Sequence, residues 1–258
     1  MKLQLIQWNI KINSNVDKII EYLNLKIQES AIINLQEVSM NNYQKICESL
    51  KIDSLYSLNF RKPGKYEGKN RHMGVMTLVN VGEIVTSQLI NSSIFPERTL
   101  YSAIDIGGIL ICNLNFHSLT GVDYKKAKSS NFASIASFLS ENNVDIISCD
   151  ANEPKIDSFN DDEIECFDNR DKGKMANLLF GKEKIHNLVD SYKQYCRSKD
   201  EKIETGYSHI TGGKKKRYDF IYCKKEWKIL CSESNYLESI KYTSDHALIE
   251  TLVEIENG

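Results

Sequence analysis

The chain has 258 residues, of which 41% are hydrophobic and 26% are charged. That length is enough for a large buried core, and the composition excludes a fibrous or disordered chain. The formal net charge is only −2, so an anionic partner would have to be met by local positive charge or by a bound metal ion.

The cysteine and hydropathy patterns predict a compartment. The 7 cysteines are odd in number and no two are spaced as CxxC, which indicates free thiols in a reducing environment and argues against a zinc cluster. No apolar run approaches the roughly 20 residues that span a bilayer, and the N-terminal segment lacks the apolar core and cleavage site of a signal peptide. We therefore expect a cytoplasmic protein with no membrane partner.

The first 50 residues predict a strand, a helix, a second strand and a second helix. Residues 3–10 form a short apolar run, and an amphipathic helix over 16–27 follows, capped by Ser14 or Asn15. The next apolar run, AIINLQEV, ends near a carboxylate, Glu37. Residues 41–50 predict another helix, and residues 61–72 predict a loop rich in glycine and charge.

Strands dominate the middle of the chain. Two strands, MGVMTLVN and EIVTSQLI, lie on either side of Val81 and Gly82. Two more, LYSAIDI and ILICNLNF, flank Gly107 and Gly108, which is a strong hairpin signal. A helix over 124–139 and a buried strand, VDIISC, then lead to Asp150.

The last third begins with a polar, acidic stretch over 154–174, which predicts an irregular surface segment. A helix over 175–180, a short apolar piece at 187–189 and the strands RYDFIYC, WKILCS and ALIETLVEI complete the chain. There is no short-period repeat and no linker composition. The pattern therefore predicts a single domain over residues 1–258 with an α+β architecture.

Polar side chains recur where the apolar strands stop. They are Asn9, Glu37, Asn115, His117, Asp150, Asn152, Asp219, Asp245 and His246. Each residue alone is typical of a turn or a helix cap. Because strand ends of layered folds converge, the whole set favours a carboxylate-rich site for a hard cation.

The motifs that carry these residues also occur in a recognisable order. They are QWNI, LQEV, NLNFH, CDANE, RYDFIY and SDHALI, and they extend from residue 7 to residue 249. This order resembles the endonuclease/exonuclease/phosphatase superfamily, which includes deoxyribonuclease I, exonuclease III-type nucleases, inositol polyphosphate phosphatases and neutral sphingomyelinases. One departure is Cys149, where the family usually has glycine before its central aspartate. The resemblance implies a four-layer α/β/β/α sandwich of two packed mixed sheets with outer helices.

The resemblance also implies a metal cofactor. Mg²⁺, with Mn²⁺ as the other candidate, would be bound by Glu37 with Asn9 beside it. Asp245 would complete the ligation or bind a second ion. Oxygen ligands of this kind suit a small, hard cation.

The remaining residues have implied roles in the reaction. His246 would contact the phosphate or act as general base, held by Asp219, and Asp150 is the other candidate for the base. Asn152 would donate a hydrogen bond to a phosphate oxygen. His117 would protonate the leaving oxygen or bind phosphate.

Cationic and polar residues near these motifs are candidates for substrate binding. They are Arg98, Asn115, Lys214, Lys215, Lys216 and Arg217. The last four form a run that directly precedes the strand of Asp219, where it can meet a polyanion. A second basic loop contains Arg61, Lys62, Lys65, Lys69 and Arg71, with Tyr66 available to stack on a base.

The resemblance therefore implies a Mg²⁺-dependent phosphodiesterase, and the basic runs favour a nuclease acting on DNA or RNA. The alternative is a phosphatase or phospholipase C-type enzyme acting on inositol phosphates or sphingomyelin. Against it, CDANE lacks the aromatic-arginine continuation usual in inositol phosphatases. A non-catalytic binding module is disfavoured because the motif residues are all present. The sequence does not distinguish DNA from RNA, exonuclease from endonuclease action, or one metal ion from two.

Overall fold

The computed structural model describes residues 1–64, 68, 71–119, 125–167, 170–200 and 206–256. The strands are β1 (Lys2–Asn9), β2 (Ala31–Val38), β3 (Asp53–Tyr56), β4 (Gly74–Val79), β5 (Glu83–Gln88), β6 (Thr99–Ile106), β7 (Ile109–His117), β8 (Ile146–Asp150), β9 (Val189–Asp190), β10 (His209–Thr211), β11 (Lys214–Lys216), β12 (Asp219–Cys223), β13 (Lys228–Asn235) and β14 (Leu248–Glu254). The helices are α1 (Val16–Lys26), α2 (Met40–Leu50), α3 (Ser57–Phe60), α4 (Lys125–Glu141), α5 (Lys174–Phe180), α6 (Ser191–Lys199) and α7 (Tyr236–Lys241).

Most strands belong to two mixed six-stranded sheets. The first has the order β13-β14-β1-β2-β4-β3, and the second has the order β5-β6-β7-β8-β12-β9. In each sheet one parallel pair lies at the centre, β1 with β2 and β7 with β8. The strands β10 and β11 form a separate two-stranded hairpin. We call residues 209–216 the basic hairpin, because Lys214, Lys215 and Lys216 form its second strand.

Helices cover the outer face of each sheet. On the first sheet, Ile19 and Leu23 of α1 pack in one buried cluster with Trp8 of β1 and Leu35 of β2. Equivalent packing covers the second sheet, where α4 and α5 share a cluster with β7, β8 and β12. Its largest members are Phe116, Phe132, Phe180, Phe220 and Tyr222.

A third buried cluster lies between the two sheets. Leu3 and Ile32 of the first sheet pack there with Ile104 and Ile221 of the second. Three interfaces between successive layers make four layers, so the expected α/β/β/α sandwich and its α+β class are confirmed. The amphipathic patterns of the sequence follow from this arrangement, because each layer must bury one apolar face against its neighbour.

The layer between the sheets changes from apolar to polar along its length. Along β1, Leu3 and Leu5 belong to the inter-sheet cluster, whereas the alternate residues Ile6 and Trp8 face α1. Side chains alternate along a strand, so Gln7 faces the second sheet, and it donates a hydrogen bond to Asp219 there. The polar strand ends seen in the sequence therefore meet at one end of this layer.

The element predictions hold in outline. The early strand-helix-strand unit and the hairpin at Gly107 and Gly108 are confirmed, and Asn15 caps α1. The two strands around Gly82 lie in different sheets, because β4 pairs in the first and β5 in the second. The sequence patterns did not predict β3, the basic hairpin, α6 or α7. Lys65, Tyr66 and Lys69 lie outside the described residues.

Two findings bear on the expected environment. All seven cysteines are free. In the described part of the chain, none of the helices has the length and apolar character needed to cross a membrane.

The crossover at Gly82 gives a test of the fold. Gly82 has φ +75°, and a Cβ there would lie 2.1 Å from the backbone oxygen of Asp105. Gly108 has φ +89°, with nothing within 4 Å of such a Cβ. We expect Gly108→Ala to lower the free energy of unfolding by about 1–2 kcal/mol through backbone strain alone. Gly82→Ala should cost about 1–3 kcal/mol more, because the backbone must also shift. Urea denaturation measures both, and equal losses would contradict this account of the crossover.

Candidate active site

Strand register places three of the predicted residues in a row. His117 of β7 pairs with Asp150 of β8 in parallel register, and Asp150 pairs with Asp219 of β12 in antiparallel register. All three side chains are buried. Because they occupy neighbouring strands at equivalent positions, they form one polar edge at the end of the second sheet.

The first sheet supplies the opposite side of the site. Asn9 ends β1, Glu37 lies in β2, and His246 precedes β14. The loop that carries His246 is fastened to β1 by Ser244, whose hydroxyl donates to the Asn9 carbonyl at 2.7 Å and accepts from the His246 amide at 3.1 Å. The indole of Trp8 also donates to the His246 carbonyl at 3.0 Å. These contacts join the strand of the QWNI motif to the loop of the SDHALI motif.

His246 is held by Asp219. Its Nδ1 donates to Asp219 Oδ2 at 2.8 Å, which leaves Nε2 as the ring nitrogen available to a substrate. Burial disfavours the charged ring, but Asp219 and Asp150 outweigh burial and raise the pKa of His246 to about 10. The ring is therefore an imidazolium at neutral pH.

Asp150 is a buried carboxyl group whose pKa lies near neutral pH. Its Oδ2 accepts from Asn9 Nδ2 at 2.9 Å, and its Oδ1 accepts from the Asn152 amide at 3.1 Å. Burial raises the pKa of Asp150 to about 7, with Asp219 adding to the rise and His246 opposing it. Asn152 itself has φ +50°, and its side-chain Nδ2 donates to the Ser118 carbonyl at 3.5 Å. A carboxyl group with such a pKa can exchange protons at physiological pH.

His117 differs from His246 in its protonation. Its Nδ1 lies 3.5 Å from Arg98 Nη1, and arginine can only donate, so Nδ1 is the acceptor. The proton is then on Nε2, which lies 3.5 Å from Asp150 Oδ2 and 3.7 Å from Glu37 Oε1. Burial, Arg98 and His246 together hold the pKa of His117 well below its usual range. This ring is neutral and faces two carboxylates.

Glu37 lies at a strained position in β2. Its φ is +56°, in the left-handed region, and the register of β2 against β4 shifts between Leu35 and Val38. Such backbone strain costs on the order of 1–3 kcal/mol and clusters at functional sites. The carboxylate accepts from Asn9 Nδ2 at 3.2 Å and from the Ile12 amide at 3.1 Å, and its side chain is 23% exposed.

The geometry of Asn9 differs from the expected metal ligation. Its amide nitrogen faces Glu37 and Asp150, while its oxygen accepts from the Lys11 amide at 2.9 Å. A metal ligand would have to present the oxygen instead. We therefore reassign Asn9 as a donor that holds the two carboxylates.

The carboxylates of the site are the ligands that a hard cation prefers, whereas His246, as an imidazolium, has no free lone pair to offer one. Two groups of side chains have potential ligand atoms within 4.8 Å of one another, Asp150 with Asp219 and His246, and Asp245 with His209 and His246. Asp245 is partly exposed and pairs with Lys11 Nζ at 3.1 Å. Glu37 adds a partly exposed carboxylate, and buried carboxylates of like charge favour a cation between them. In the described part of the chain, no such group joins Glu37 to Asp245.

His209 was not predicted from the sequence. Its ring stacks on His246 with centroids 4.4 Å apart, and its Nδ1 bonds to the Asp245 carbonyl at 2.9 Å. An isolated histidine carries no signal of its own. However, Gly212 and Gly213, with φ +55° and +71°, mark the tight turn of the basic hairpin that brings His209 to the site.

Lys128 was also not predicted. Its Nζ donates to the Asn152 carbonyl at 2.7 Å and pairs with Glu153 at 2.8 Å, so this lysine of α4 supports the loop after β8. In the sequence it is one of several lysines in a helix, with nothing to single it out.

Three residues predicted to bind substrate are internal instead. Arg98 is buried against His117 and the Ser118 carbonyl. Asn115 is fully buried between the sheets, where it donates to the Met76 carbonyl. Arg217 is buried too, paired with Asp157 and Asp190. A polar residue near a strand end can face the interior, and these three do.

Of the other cations in the two basic segments, some are exposed and some are engaged by groups of the protein. Lys214 and Lys215 are exposed, and Lys215 Nζ lies 4.3 Å from the centre of the Tyr207 ring. Lys216 is half-buried and donates to the Lys155 carbonyl. In the second basic loop, the guanidinium groups of Arg61 and Arg71 both pair with the buried Glu97.

Comparison with solved structures tests the resemblance. TDP2 from D. rerio complexed with a single-strand DNA product is 14% identical, with a TM-score of 0.70 over 98% of this chain and 99% of that one. The human Nocturnin catalytic domain is 17% identical, with a TM-score of 0.70 over 99% and 95%. An endonuclease/exonuclease/phosphatase from Bacteroides vulgatus is 15% identical, with a TM-score of 0.68 over 99% and 100%.

This chain has the endonuclease/exonuclease/phosphatase fold. The resemblance inferred from the six motifs is therefore confirmed at the level of the fold. No family model matches the sequence, and no curated protein matches it by sequence similarity.

The different environments of Arg217 and its neighbours can be tested by stability. Arg217→Ala leaves the buried Asp190 without the guanidinium that pairs with it, which should lower the free energy of unfolding by about 3–5 kcal/mol. Lys214→Ala and Lys215→Ala should change it by less than about 0.5 kcal/mol, because both side chains are solvated. Chemical denaturation followed by circular dichroism measures all three, and a fully stable Arg217→Ala variant would contradict the assignment of Arg217 to the interior.

Proposed function

We propose that the chain is a divalent-metal-dependent phosphodiesterase that cleaves nucleic acid, either DNA or RNA. The observation that carries this is the His246–Asp219 pair beside Asp150, with the basic hairpin attached to the same pair through His209. A buried acid-base group next to exposed lysines suits a polyanionic phosphodiester. The fold shared with TDP2, whose structure is described with a single-strand DNA product, adds support.

Mg²⁺ or Mn²⁺ is the proposed cofactor. Glu37 would hold the ion, and Asp245 would complete the ligation or hold a second one. When bound, such an ion neutralises the phosphate and the developing charge on its oxygens. The partly exposed carboxylates of Glu37 and Asp245 suit an ion that retains several waters.

We assign different roles to His246 and Asp150. His246 is protonated at neutral pH, so it is a poor base, but its Nε2–H can donate to a non-bridging phosphate oxygen. Asp150 has a pKa of about 7 and can accept the proton of the attacking water as the P–O bond to the leaving group breaks. Asp219 keeps the imidazolium oriented.

The other side chains hold this arrangement or the substrate. His117, which is neutral, directs its Nε2–H toward both Asp150 and Glu37. Asn152 is half-buried at the edge of the site, where its amide can donate to phosphate. Lys214 and Lys215 would attract the phosphates that flank the cleaved one.

The assignment of the base is tested by Asp150→Asn. We expect kcat to fall by about 10²–10⁴-fold on DNA or RNA with Mg²⁺, because the amide cannot accept the proton. Asp53→Asn, at an exposed position of β3, is the matched control and should behave as the wild type. The assay uses DNA, RNA, abasic DNA, inositol phosphate and sphingomyelin, each with Mg²⁺ and with chelator. An active Asp150→Asn enzyme would exclude Asp150 as the base, and cleavage of a small phosphoester alone would refute the nuclease.

Nucleic-acid binding by the basic hairpin is tested separately. The double variant Lys214→Ala/Lys215→Ala should weaken binding and reduce the slope of log K against log salt by roughly 0.7–0.9 for each phosphate that the hairpin no longer neutralises. Lys18→Ala/Lys225→Ala removes the same charge from exposed positions on α1 and in the turn between β12 and β13. This control should leave the slope unchanged. If both variants shifted it equally, net charge rather than the hairpin would explain binding.

A further inference from the structure

The polar part of the layer between the sheets contains a row of buried amide side chains that leads to Asp219. Gln7 of β1, Gln36 of β2 and Asn115 of β7 are each 0% exposed. Apolar residues of similar size would fill the same space without needing partners. The row therefore calls for an explanation other than packing.

The row begins at backbone groups that fix its direction. Asn115 Nδ2 lies 2.9 Å from the Met76 carbonyl and 3.3 Å from the Leu35 carbonyl. Carbonyl oxygens only accept hydrogen bonds, so the NH₂ group of Asn115 must face them. Its Oδ1 must then face the other way, toward Gln36.

Each amide then fixes the next. Gln36 Nε2 donates to Asn115 Oδ1 at 2.8 Å, so Gln36 Oε1 faces Gln7. Gln7 Nε2 donates to Gln36 Oε1 at 2.8 Å and also to Asp219 Oδ1 at 2.9 Å. With Oδ1 held in this way, Asp219 Oδ2 is the oxygen that meets His246 Nδ1.

The orientation of Gln7 has a cost that packing does not explain. Its Oε1 is buried and has no hydrogen-bond partner among the described residues. A buried acceptor without a partner is unfavourable, so the orientation that leaves it there needs a physical reason. Here the reason is that Gln36 Oε1 and Asp219 Oδ1 both accept hydrogen bonds. The donating Nε2 of Gln7 must therefore face them, and its Oε1 must face away.

We infer that Gln7, Gln36 and Asn115 form a directional hydrogen-bond chain that positions Asp219 and so holds the Nδ1–H group of His246 in its hydrogen bond. These are positioning residues, since none of them reaches the reacting atoms. The inference deepens the proposed function and rests on it for its catalytic consequence. The positioning itself is a property of the protein without metal or substrate.

A second pair of amides in the same layer provides a matched control. Asn34 and Asn113 are buried and donate to each other at 2.9 and 3.0 Å. Thr77 also donates to Asn34 Oδ1 at 2.8 Å. Between this pair and Gln7, Gln36 or Asp219, the described residues show one side-chain hydrogen bond, from Gln36 Nε2 to the backbone carbonyl of Asn34 at 3.4 Å, and it does not involve the side chains of the pair. Removing the pair disturbs the polar layer without altering the hydrogen-bond chain.

The test compares Gln7→Met, Gln7→Glu and Asn113→Leu. In metal-free protein labelled with ¹⁵N-histidine, the His246 Nδ1 proton should exchange with water about 10–100-fold faster in Gln7→Met than in the wild type, with kcat reduced to a similar extent and KM unchanged. Gln7→Glu replaces the donor with an acceptor of the same shape, so it should be worse than Gln7→Met. Asn113→Leu should lose stability but keep the exchange rate and kcat of the wild type.

Gln36→Met keeps the test decisive if the Gln7 variants fail to fold. Among the described residues, the Gln36 side chain has no hydrogen bond to Asp219 or His246, so faster exchange in this variant would be transmitted through Gln7. Wild-type exchange in Gln7→Met and Gln36→Met, or equal effects in Asn113→Leu, would overturn the inference. If the wild type cleaved no nucleic acid, the proposed function would fail while the exchange measurement still decided the positioning.

Discussion

The contact between the inward faces of the two sheets is the constraint on which the site depends. At one end, Leu3 and Ile32 meet Ile104 and Ile221, and this end is stabilised by apolar burial. At the other end the same two faces present amides, carboxylates and histidines. Burying groups of this kind is costly unless they are hydrogen-bonded, and several of them find their partner on the opposite sheet. Gln7 with Asp219, and Asn9 with Asp150, are such pairs. The packing of the two sheets therefore determines the geometry of the site.

Much of the site was readable from the sequence because its residues follow apolar strands in a fixed order. Strand register then brings these residues together. Parallel pairing of β7 with β8 aligns His117 with Asp150, because both strands end at the same edge of the sheet. Glu37, Asp245 and His246 were proposed as site residues by the same signal. The fold beyond α+β needed the resemblance, because periodicity does not reveal which sheet a strand joins. The separation of β4 and β5 at Gly82 shows that limit.

The errors have a common physical origin. Sequence marks a polar residue near a strand end, but it does not reveal the partner that the residue meets. Arg217 looked like the end of a basic run, yet Asp157 and Asp190, far away in sequence, bind it in the interior. Asn115 and Arg98 were misassigned for the same reason. His209 was not found because its place depends on a short hairpin, whose contact with His246 is tertiary.

The two buried histidines of the site differ in protonation, although they lie close together. His246 faces Asp219 and is cationic, whereas His117 faces Arg98 and is neutral, although both rings are buried within reach of Asp150. Burial lowers the pKa of either ring, so the partner alone decides the sign. Of the two rings, only His246 therefore carries a positive charge, and His209 and the basic hairpin are attached on its side. A phosphate entering the proposed site meets the imidazolium on that side, and the neutral His117 adds no charge of its own beside Glu37 and Asp150.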